Sequence, residues 1–333
     1  MVEALVAETG LWREGVVFAL DHVLELAPTE AELATFVARA TPRSAVAVIL
    51  AANVFTAPSR AVAWALAQSS NVTVRPSRRA FAFLEPRGLR DHLRFSTISD
   101  QPELEVEAML ESLPERAALH AYGSAATVAS IVTLGQGIAQ KRPDLRFELH
   151  GPGFGAIVAH AASIEAHADA IARDLAVFDQ RGCLSPRVAL VLGSHQDARA
   201  AAHALARALH DLDVHMPRGR LTDAEKSAIT LAVEMARYAG SARVGDGYAV
   251  LELGAPRALT LGPVGRVLPI LSVESLEHVR TLLAPHASSL TTIATDEREI
   301  GLPARLAALG RMQTPPFDGP VDLRALSSPT RGA

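Results

Sequence analysis

Residues 178–191 read FDQRGCLSPRVALV and place Cys183, the single cysteine of the chain, between two elements of regular structure. Before it, residues 163–178 carry apolar side chains at helical spacing, which predicts an amphipathic helix. After it, residues 187–192 form the short apolar run RVALVL, which predicts a buried strand. A helix, a tight turn and a buried strand in this order are typical of an α/β domain built on a parallel sheet.

The same alternation of strands and helices extends in both directions from this stretch. Strands are predicted over residues 44–50, 71–74, 117–122, 147–149, 187–192, 250–253, 258–261 and 267–271. Helices are predicted over residues 58–68, 101–113, 125–140, 163–178, 196–212 and 221–238, the last with Thr222 as N-cap and Glu225 closing a capping box. We therefore expect an α/β fold with two lobes, residues 1–155 and 156–313, followed by an irregular tail over residues 314–333.

Composition excludes several classes of protein. The chain has 333 residues, of which 49% are hydrophobic and 20% charged, so it can bury a large core and is neither disordered nor of low complexity. A formal net charge of −4 is too balanced for a general nucleic-acid binder. One cysteine excludes an intrachain disulfide and the usual zinc sites, so we predict no metal. The longest strongly apolar run, residues 45–55, is too short to span a bilayer, and we expect a cytoplasmic protein.

Cys183 is the candidate nucleophile of this sequence. It follows a glycine in a predicted tight turn, where backbone N–H groups could stabilise a thiolate or a developing oxyanion. The alternative is a small buried hydrophobic residue, which is the commoner role of a lone cysteine. A second motif, LGQGIAQ with Gly135 and Gly137, is a weak match to a dinucleotide fingerprint; it falls within a helical pattern, where glycines allow close packing.

The order of several segments carries a family resemblance. These segments are LAANVFTAP (50–58), NVTVRPSRRA (71–80), HAYGSAATVAS (120–130), HGPGFGAIVA (150–159), FDQRGCLSPR (178–187), LGPVGRVLPILSVESLEHV (261–279) and PPFDGPVDLRAL (315–326). Together they resemble the aldehyde dehydrogenase superfamily, and most closely its acyl-CoA reductase branch, the fatty-acid reductases of bacterial luminescence. The resemblance implies a Rossmann-like cofactor-binding lobe followed by a catalytic lobe that carries the cysteine, with the active site in the cleft between them. It also implies an N-terminally shortened form, because the first matched strand begins at residue 44.

The resemblance assigns catalytic roles to two residues. Cys183 aligns with the nucleophile that forms an acyl-enzyme. Asn53 aligns with the asparagine whose amide points at the substrate oxygen, so that it and the Cys183 N–H would form an oxyanion hole. A polar residue capping the turn after a strand is the alternative explanation of Asn53.

The resemblance also assigns a cofactor site. Gly123 and Ser124 match the Gly-Ser pair that opens a helix beneath the cofactor pyrophosphate. Arg75 and Ser77 fall where the superfamily contacts the adenosine ribose, and Arg75, Arg78 and Arg79 form a cluster that could bind a 2′-phosphate, which favours NADPH over NADH. A solvated surface patch would contain the same arginines.

Two departures from the superfamily pattern affect the expected chemistry. Hydrolytic members carry a glutamate that activates water, and the corresponding stretch here contains Glu148, Leu149 and His150 without a fixed register. We therefore treat Glu148 and His150 as candidate acid/base residues and expect hydrolysis to be disfavoured. The late glutamate that binds the nicotinamide ribose in the superfamily is Leu259 here.

The resemblance implies NADPH-dependent reduction of an acyl thioester to an aldehyde through an acyl–Cys183 intermediate. Three alternatives remain open at this stage: a hydrolytic aldehyde dehydrogenase, an acyl-phosphate reductase, against which the FDQRGCLSP segment argues, and a non-catalytic subunit of the same fold. The expected partners are an acyl-CoA or acyl-carrier thioester, an acyl-transferring protein and further copies of the chain in a homo-oligomer, with no nucleic acid.

Overall fold

The computed structural model describes residues 1–25, 27–50, 54–77, 93–96, 102–254 and 258–324. Its helices are α1 (Val2–Thr9), α2 (Arg13–His22), α3 (Glu30–Arg39), α4 (Ala57–Gln68), α5 (Pro102–Ser112), α6 (Ala125–Lys141), α7 (Ala161–Ala166), α8 (Ala168–Ala176), α9 (His195–His215), α10 (Asp223–Ala239) and α11 (Leu276–Leu283). Its strands are β1 (Val46–Ile49), β2 (Val72–Arg75), β3 (Leu93–Phe95), β4 (Ala118–Tyr122), β5 (Arg146–His150), β6 (Phe154–His160), β7 (Pro186–Leu192), β8 (Ser241–Val244), β9 (Ala249–Leu253), β10 (Val267–Val273), β11 (Leu290–Thr295) and β12 (Arg305–Ala307).

The chain forms two compact units. The first unit contains residues 24–152 together with Met1 and, of the C-terminal tail, residues 316–324. The second contains residues 2–23, which carry α1 and α2, and residues 153–315. The boundaries at residues 155 and 313 stay a prediction, and the two units are described separately below.

The sheet of the first unit has the order β3-β2-β1-β4-β5, and every pair of neighbouring strands is parallel. One face packs against α5 and α6 through Leu110, Leu119 and Phe147, and the other packs against α4 through Val48 and Val62. Because the chain leaves β1 in one direction and returns on its other side at β4, the carboxyl ends of β1 and β4 form a topological switch point. Open α/β sheets bind their ligands at such a point.

The sheet of the second unit has the order β12-β11-β6-β7-β10-β9-β8 and is parallel except for the antiparallel pair β8–β9. Its central strands β6, β7 and β10 are almost entirely buried because α8 and α9 cover one face and α11 the other. This explains why RVALVL is apolar throughout instead of alternating. The predicted fold class, α/β with a largely parallel sheet in each of two lobes, is confirmed.

Two of the predicted elements are wrong in detail. The helix expected over residues 163–178 is interrupted at His167, whose φ of −115° and ψ of 15° leave the helical region, and it ends at Ala176. Residues 258–261 form no strand. Both edges of β7 are already paired, with β6 and β10, and next to this segment the Gly262 N–H donates to the Arg187 carbonyl of β7. Within the described ranges, none of the helices combines the length and the apolar character that crossing a bilayer requires.

Candidate active site

Cys183 lies in the turn that joins α8 to β7 in the second unit. The Ser185 N–H donates to the Gly182 carbonyl at 3.1 Å, which closes a β-turn with Cys183 at its second position. Cys183 is half-buried, whereas Gly182 and Ser185 are buried. Thr291 Oγ1 lies within hydrogen-bond distance of the carbonyl oxygens of Cys183 and Phe154, so the turn is fixed to β11 and β6.

The chain enters this turn through two buried residues with left-handed backbone geometry, Asp179 (φ 48°) and Gln180 (φ 61°). Residues other than glycine hold this conformation only when their surroundings stabilise it. Gln180 Nε2 donates to the carbonyls of Pro186 at 2.7 Å and Val267 at 3.0 Å, and its Oε1 accepts from the Val267 N–H at 2.7 Å. The Gln180 amide therefore joins the first residues of β7 and β10 beside the cysteine turn.

Asp179 is held by a buried ion pair with Arg266. Arg266 Nε donates to Asp179 Oδ1 at 2.7 Å, and the Gly219 N–H donates to Asp179 Oδ2 at 2.9 Å. The side chains of Asp179 and Arg266 are 0% and 3% exposed, and Arg266 also donates to the Met216 carbonyl at 2.6 Å and Asp213 Oδ1 at 3.2 Å. Each buried charge is compensated by several partners, which is the condition under which such a pair is tolerated.

Arg181, which follows Gln180, connects the turn to the start of α10. Arg181 Nε donates to Glu225 Oε1 at 3.2 Å, and its Nη2 donates to the Arg220 carbonyl at 2.8 Å. Glu225 closes the predicted capping box with Thr222, which is confirmed. The three residues before Gly182 thus fix the cysteine turn to three parts of the second unit: Asp179 to Arg266, Gln180 to the first residues of β7 and β10, and Arg181 to the start of α10.

Sequence reasoning named Cys183 but gave no role to Asp179, Gln180 or Arg266. The available signal was the placing of charged and amide side chains immediately before a wholly apolar strand, where burial forces each polar group to find a partner. With its backbone fixed on both sides, the turn presents the Cys183 residue in one orientation, which a nucleophile requires.

The candidate pyrophosphate site lies in the first unit, at the carboxyl end of β4. Ser124 is the N-cap of the 17-residue helix α6 and its Oγ accepts from the Thr127 N–H at 3.1 Å. Gly123 leaves no space for a side chain, because a Cβ there would lie 2.8 Å from Thr127 Cβ. Ala125 and Ala126 are exposed, and as the first two helical residues they have amide N–H groups without intrahelical acceptors.

These residues fit the nicotinamide dinucleotide implied by the fold. The exposed N-terminus of α6 stands at the switch point of a parallel sheet, and its uncapped N–H groups together with the helix dipole favour an anion such as a pyrophosphate. Arg75 is the last residue of β2 and therefore lies at the same sheet edge.

The remaining predicted cofactor residues are less fully described. Arg75 Nε lies 3.2 Å from Glu105 Oε2, so its charge is already paired. Ser77 is partly buried two residues beyond β2. Asn53, Arg78 and Arg79 lie outside the described residues, and their roles stay predictions. Leu259, at the position of the superfamily's ribose-binding glutamate, packs beside the core that β6, β7 and β10 form with α11.

Glu148 and His150, the candidate acid/base residues, lie on the same face of β5 and contact groups of the first unit. His120 Nε2, on β4, is 3.3 Å from Glu148 Oε2. His150 stacks on Tyr122 at 4.4 Å between ring centroids, and its Nδ1 is 3.2 Å from Asp322 Oδ2 in the C-terminal tail.

The electrostatics of this cluster follow from burial. His120 is fully buried, and loss of solvation lowers its pKa to about 4 although Glu148 favours the charged form, so the imidazole is neutral at pH 7. Burial opposes ionisation of Asp322, but hydrogen bonds with Arg324 and His150 outweigh it and lower the pKa of that carboxyl. The cluster therefore holds the tail against the sheet of the first unit.

Comparison with known proteins gives one family. The sequence profile described as Acyl-CoA reductase (LuxC) matches residues 20–318. No curated protein matches the chain in sequence.

Solved structures agree on the fold. PutA of Anabaena variabilis, assigned as an aldehyde dehydrogenase, shares 17% identity over 94% of this chain and 76% of its own, with a TM-score of 0.63. An NAD-dependent benzaldehyde dehydrogenase from Corynebacterium glutamicum shares 16% identity over 90% and 72% of the two chains, with a TM-score of 0.59. An NADP-dependent glyceraldehyde-3-phosphate dehydrogenase from Bacillus halodurans, solved with NADP, shares 14% identity over 92% and 74%, with a TM-score of 0.57.

Proposed function

The chain belongs to the acyl-CoA reductase (LuxC) family and is an oxidoreductase of acyl and aldehyde groups, and we propose that it reduces an acyl thioester to an aldehyde with NADPH. The observation that carries the proposal is the position of Cys183, the chain's single cysteine, in a turn fixed by buried partners. An enzyme that forms an acyl–cysteine needs its thiol presented in one orientation.

In the proposed reaction the Cys183 thiolate attacks the thioester carbonyl carbon, and the carrier thiol leaves with the proton that Cys183 lost. The Cys183 N–H and the Asn53 amide are the proposed donors to the developing oxyanion. NADPH supplies the hydride when bound. The bond between Cys183 Sγ and the former carbonyl carbon then breaks, which releases the aldehyde, and the consumed proton returns to the Cys183 thiolate. The sum is one acyl thioester, one NADPH and one proton consumed, with one aldehyde, one carrier thiol and one NADP⁺ formed.

The test is product analysis with the full chain, long-chain acyl-CoA and NADPH. We expect aldehyde, carrier thiol and NADP⁺ in equal amounts. Oxidation of aldehyde by NADP⁺ in the absence of CoA, with no reduction of acyl-CoA, would instead identify a hydrolytic aldehyde dehydrogenase. Binding of neither nicotinamide cofactor would identify a non-catalytic subunit.

We predict a preference for NADPH over NADH that depends on Arg78 and Arg79. Since Arg75 is already paired with Glu105, these two arginines are the proposed partners of the 2′-phosphate. A charge-assisted contact of this kind contributes about 1.5–3 kcal/mol, or about 10–150-fold in affinity. When Arg78→Ala and Arg79→Ala are titrated with both cofactors, the affinity for NADPH should fall by this factor and the affinity for NADH should not change.

The matched control is Arg146→Ala, an exposed arginine at the amino end of β5 and thus at the other sheet edge. It should leave both affinities unchanged. Equal affinity of the wild type for NADPH and NADH would refute the cofactor assignment.

We also predict that the acyl-enzyme resists hydrolysis. General-base catalysis contributes roughly 10²–10⁴-fold, and without a base for water the acyl–Cys183 bond should persist for minutes or longer without NADPH. The side chain of Glu148 is engaged beside His120 within the first unit, which supports this expectation. Decay of the isolated acyl-enzyme should be equally slow in wild type, Glu148→Gln and the control Glu111→Gln, an exposed residue of α5. Rapid decay that only Glu148→Gln abolishes would make Glu148 the base.

A further inference from the structure

Helix α10 of the second unit carries an apolar stripe on its exposed side. Val233 and Ala236 face inward and pack on the sheet at β8 and β9. A second set of apolar residues recurs along the exposed surface at alternating steps of four and three: Ala224, Ala228, Leu231, Met235 and Tyr238. Leu231 is 62% exposed, Met235 63% and Tyr238 95%. This spacing is that of a seam between two packed helices, and an exposed apolar patch of this kind marks an interaction surface.

Helix α10 also lies over an open edge of the sheet. Among the described strands, β8 has β9 on one side and no neighbour on the other. Val244 of β8 is 49% exposed and lies on the same face of the sheet as Ala242, which packs beneath α10. The outer N–H and C=O groups of an edge strand pair readily with a strand of another chain. An exposed helix and an open strand edge therefore occur together at one border of the second unit.

The charged residues of α10 fit a second copy of the same helix. Lys226 Nζ lies 3.0 Å from Asp223 Oδ1, and Arg237 Nη1 lies 2.7 Å from Glu234 Oε1. Each half of the helix thus carries an acidic residue followed three positions later by a basic one. When two copies run antiparallel and cross near Thr230, Lys226 of one copy lies opposite Glu234 of the other. Asp223 then lies opposite Arg237, whereas in a parallel pair each charge would lie opposite its own like. The order of the charges favours the antiparallel pair.

The sizes of the apolar residues agree with this arrangement. The small residues Ala224 and Ala228 lie in the first half of α10, and the large residues Leu231, Met235 and Tyr238 follow from its midpoint onward. An antiparallel copy places the large side chains of one helix over the small ones of the other, which gives the interdigitation of a close-packed contact. A parallel copy would place large side chains on large ones.

The spacing of the helices matches the spacing of the strands. Neighbouring strands lie about 4.8 Å apart, so two β8 strands paired edge to edge would place the two helices, each over its own β8 and β9, roughly 10 Å apart. Packed helices have axes about 8–10 Å apart. One two-fold axis perpendicular to the sheet can therefore pair the two strands and pack the two helices at the same time.

We propose that two copies of this chain associate through this border of the second unit, with α10 antiparallel to α10 and β8 beside β8. Both copies use the same surface, so the contact closes at two copies and covers both open edges. The proposal does not depend on the activity assigned to Cys183.

The test is sedimentation equilibrium of the full chain over a range of concentrations. We expect a reversible dimer, or a larger assembly whose number of copies Met235→Glu halves. Met235→Glu places an unpaired charge in the apolar seam and should weaken the association about 100-fold or more. The matched control is Val37→Glu, which adds the same charge at a 57% exposed residue of α3 in the first unit and should leave the association unchanged. Both positions are exposed, so both variants should fold, which unchanged circular dichroism spectra check.

A charge exchange tests the antiparallel arrangement itself. Lys226→Glu and Glu234→Lys each turn the two facing pairs of unlike charge into pairs of like charge, and each should weaken the association about tenfold. The double variant Lys226→Glu, Glu234→Lys restores unlike pairs and should recover the wild-type affinity. A monomeric wild type overturns the proposal and is the result expected if the stripe binds a different protein. An association that Met235→Glu leaves unchanged, or a double variant no tighter than the single ones, also overturns it.

Discussion

Replacement of Cys183 by alanine should lower the rate of acyl-CoA reduction by roughly 10⁴-fold or more, the scale of loss when a covalent nucleophile is removed. Cys183 is the only cysteine of the chain, so no other thiol can take over the acyl group. The variant should keep its fold, because the residue is half-buried and hydrogen bonds from the Ser185 N–H to the Gly182 carbonyl and from Thr291 Oγ1 to the Cys183 carbonyl hold the turn.

The measurement is the initial rate of aldehyde formation in wild type, Cys183→Ala and Cys183→Ser. The serine variant keeps nearly the same shape and replaces the thiol by a much weaker nucleophile, so it should be almost as inactive as the alanine variant. NADPH affinity should be unchanged in both, which separates loss of the nucleophile from loss of the fold. An alanine variant that retains a tenth of the wild-type rate would exclude Cys183 as the nucleophile.

The second large effect is expected at Arg266. Replacing it by methionine removes the nearer charge partner of the Asp179 carboxylate, which is 0% exposed, and leaves only the longer contact with Arg181 Nη1 at 3.5 Å in place of Arg266 Nε at 2.7 Å. Removing one member of a buried pair costs about 3–5 kcal/mol. Because the Asp179 carboxylate stabilises the segment that enters the cysteine turn, activity should fall together with stability.

Amide hydrogen exchange of β7 and β10 measures the opening free energy of the second unit, where the Asp179–Arg266 pair lies. The control Arg237→Met removes an exposed arginine, 55% accessible, from an ion pair on α10, and should change the opening free energy by less than about 0.5 kcal/mol. The double variant Asp179→Asn, Arg266→Met should lose less than the sum of the single changes, since no unpaired charge remains. An Arg266→Met variant within about 1 kcal/mol of wild type would show that the pair does not hold the turn.

The sequence pattern predicted most of the elements because burial on both faces makes parallel strands apolar throughout. The runs VAVI and RVALVL are such strands, and both are found where they were expected, as β1 and β7. The capping box of Thr222 and Glu225 likewise marks the start of α10, since a side-chain cap is a local interaction that sequence spacing alone encodes.

What the pattern could not predict depends on long-range contacts. The left-handed backbone of Asp179 and Gln180 follows from partners 40 and 87 residues away, Gly219 and Val267. No local propensity places a buried aspartate in that conformation; only the assembled sheet supplies its partners. The strand β6 was missed for a related reason, because Gly155 interrupts its apolar run and yet is required there, since a Cβ would lie 2.6 Å from the Leu184 carbonyl.

The residues of the candidate site also fall into two groups, those that a local sequence pattern predicts and those whose surroundings depend on long-range contacts. The resemblance placed Gly123 and Ser124 at the start of a helix, and Ser124 is the N-cap of α6, since a strand, a Gly-Ser pair and a helix form a local unit. Their role toward a cofactor stays a prediction. Glu148 and His150 could be named only as candidates, because the register of this stretch against the superfamily pattern was not fixed and a shift of one residue puts Leu149, which lies on the opposite face of β5, in their place. The structure places both on the same face, two residues apart, beside His120 and Tyr122.

The central claim is that an acyl group is transferred to Cys183 and then reduced. Intact-protein mass spectrometry tests it directly: full-length protein is incubated with acyl-CoA, freed of excess substrate, weighed, and then mixed with NADPH. We predict the addition of one acyl mass, its absence in Cys183→Ala, and its disappearance on addition of NADPH with release of one equivalent of aldehyde. Equal labelling of the alanine variant, or an acyl mass that NADPH does not remove, would contradict the proposed mechanism.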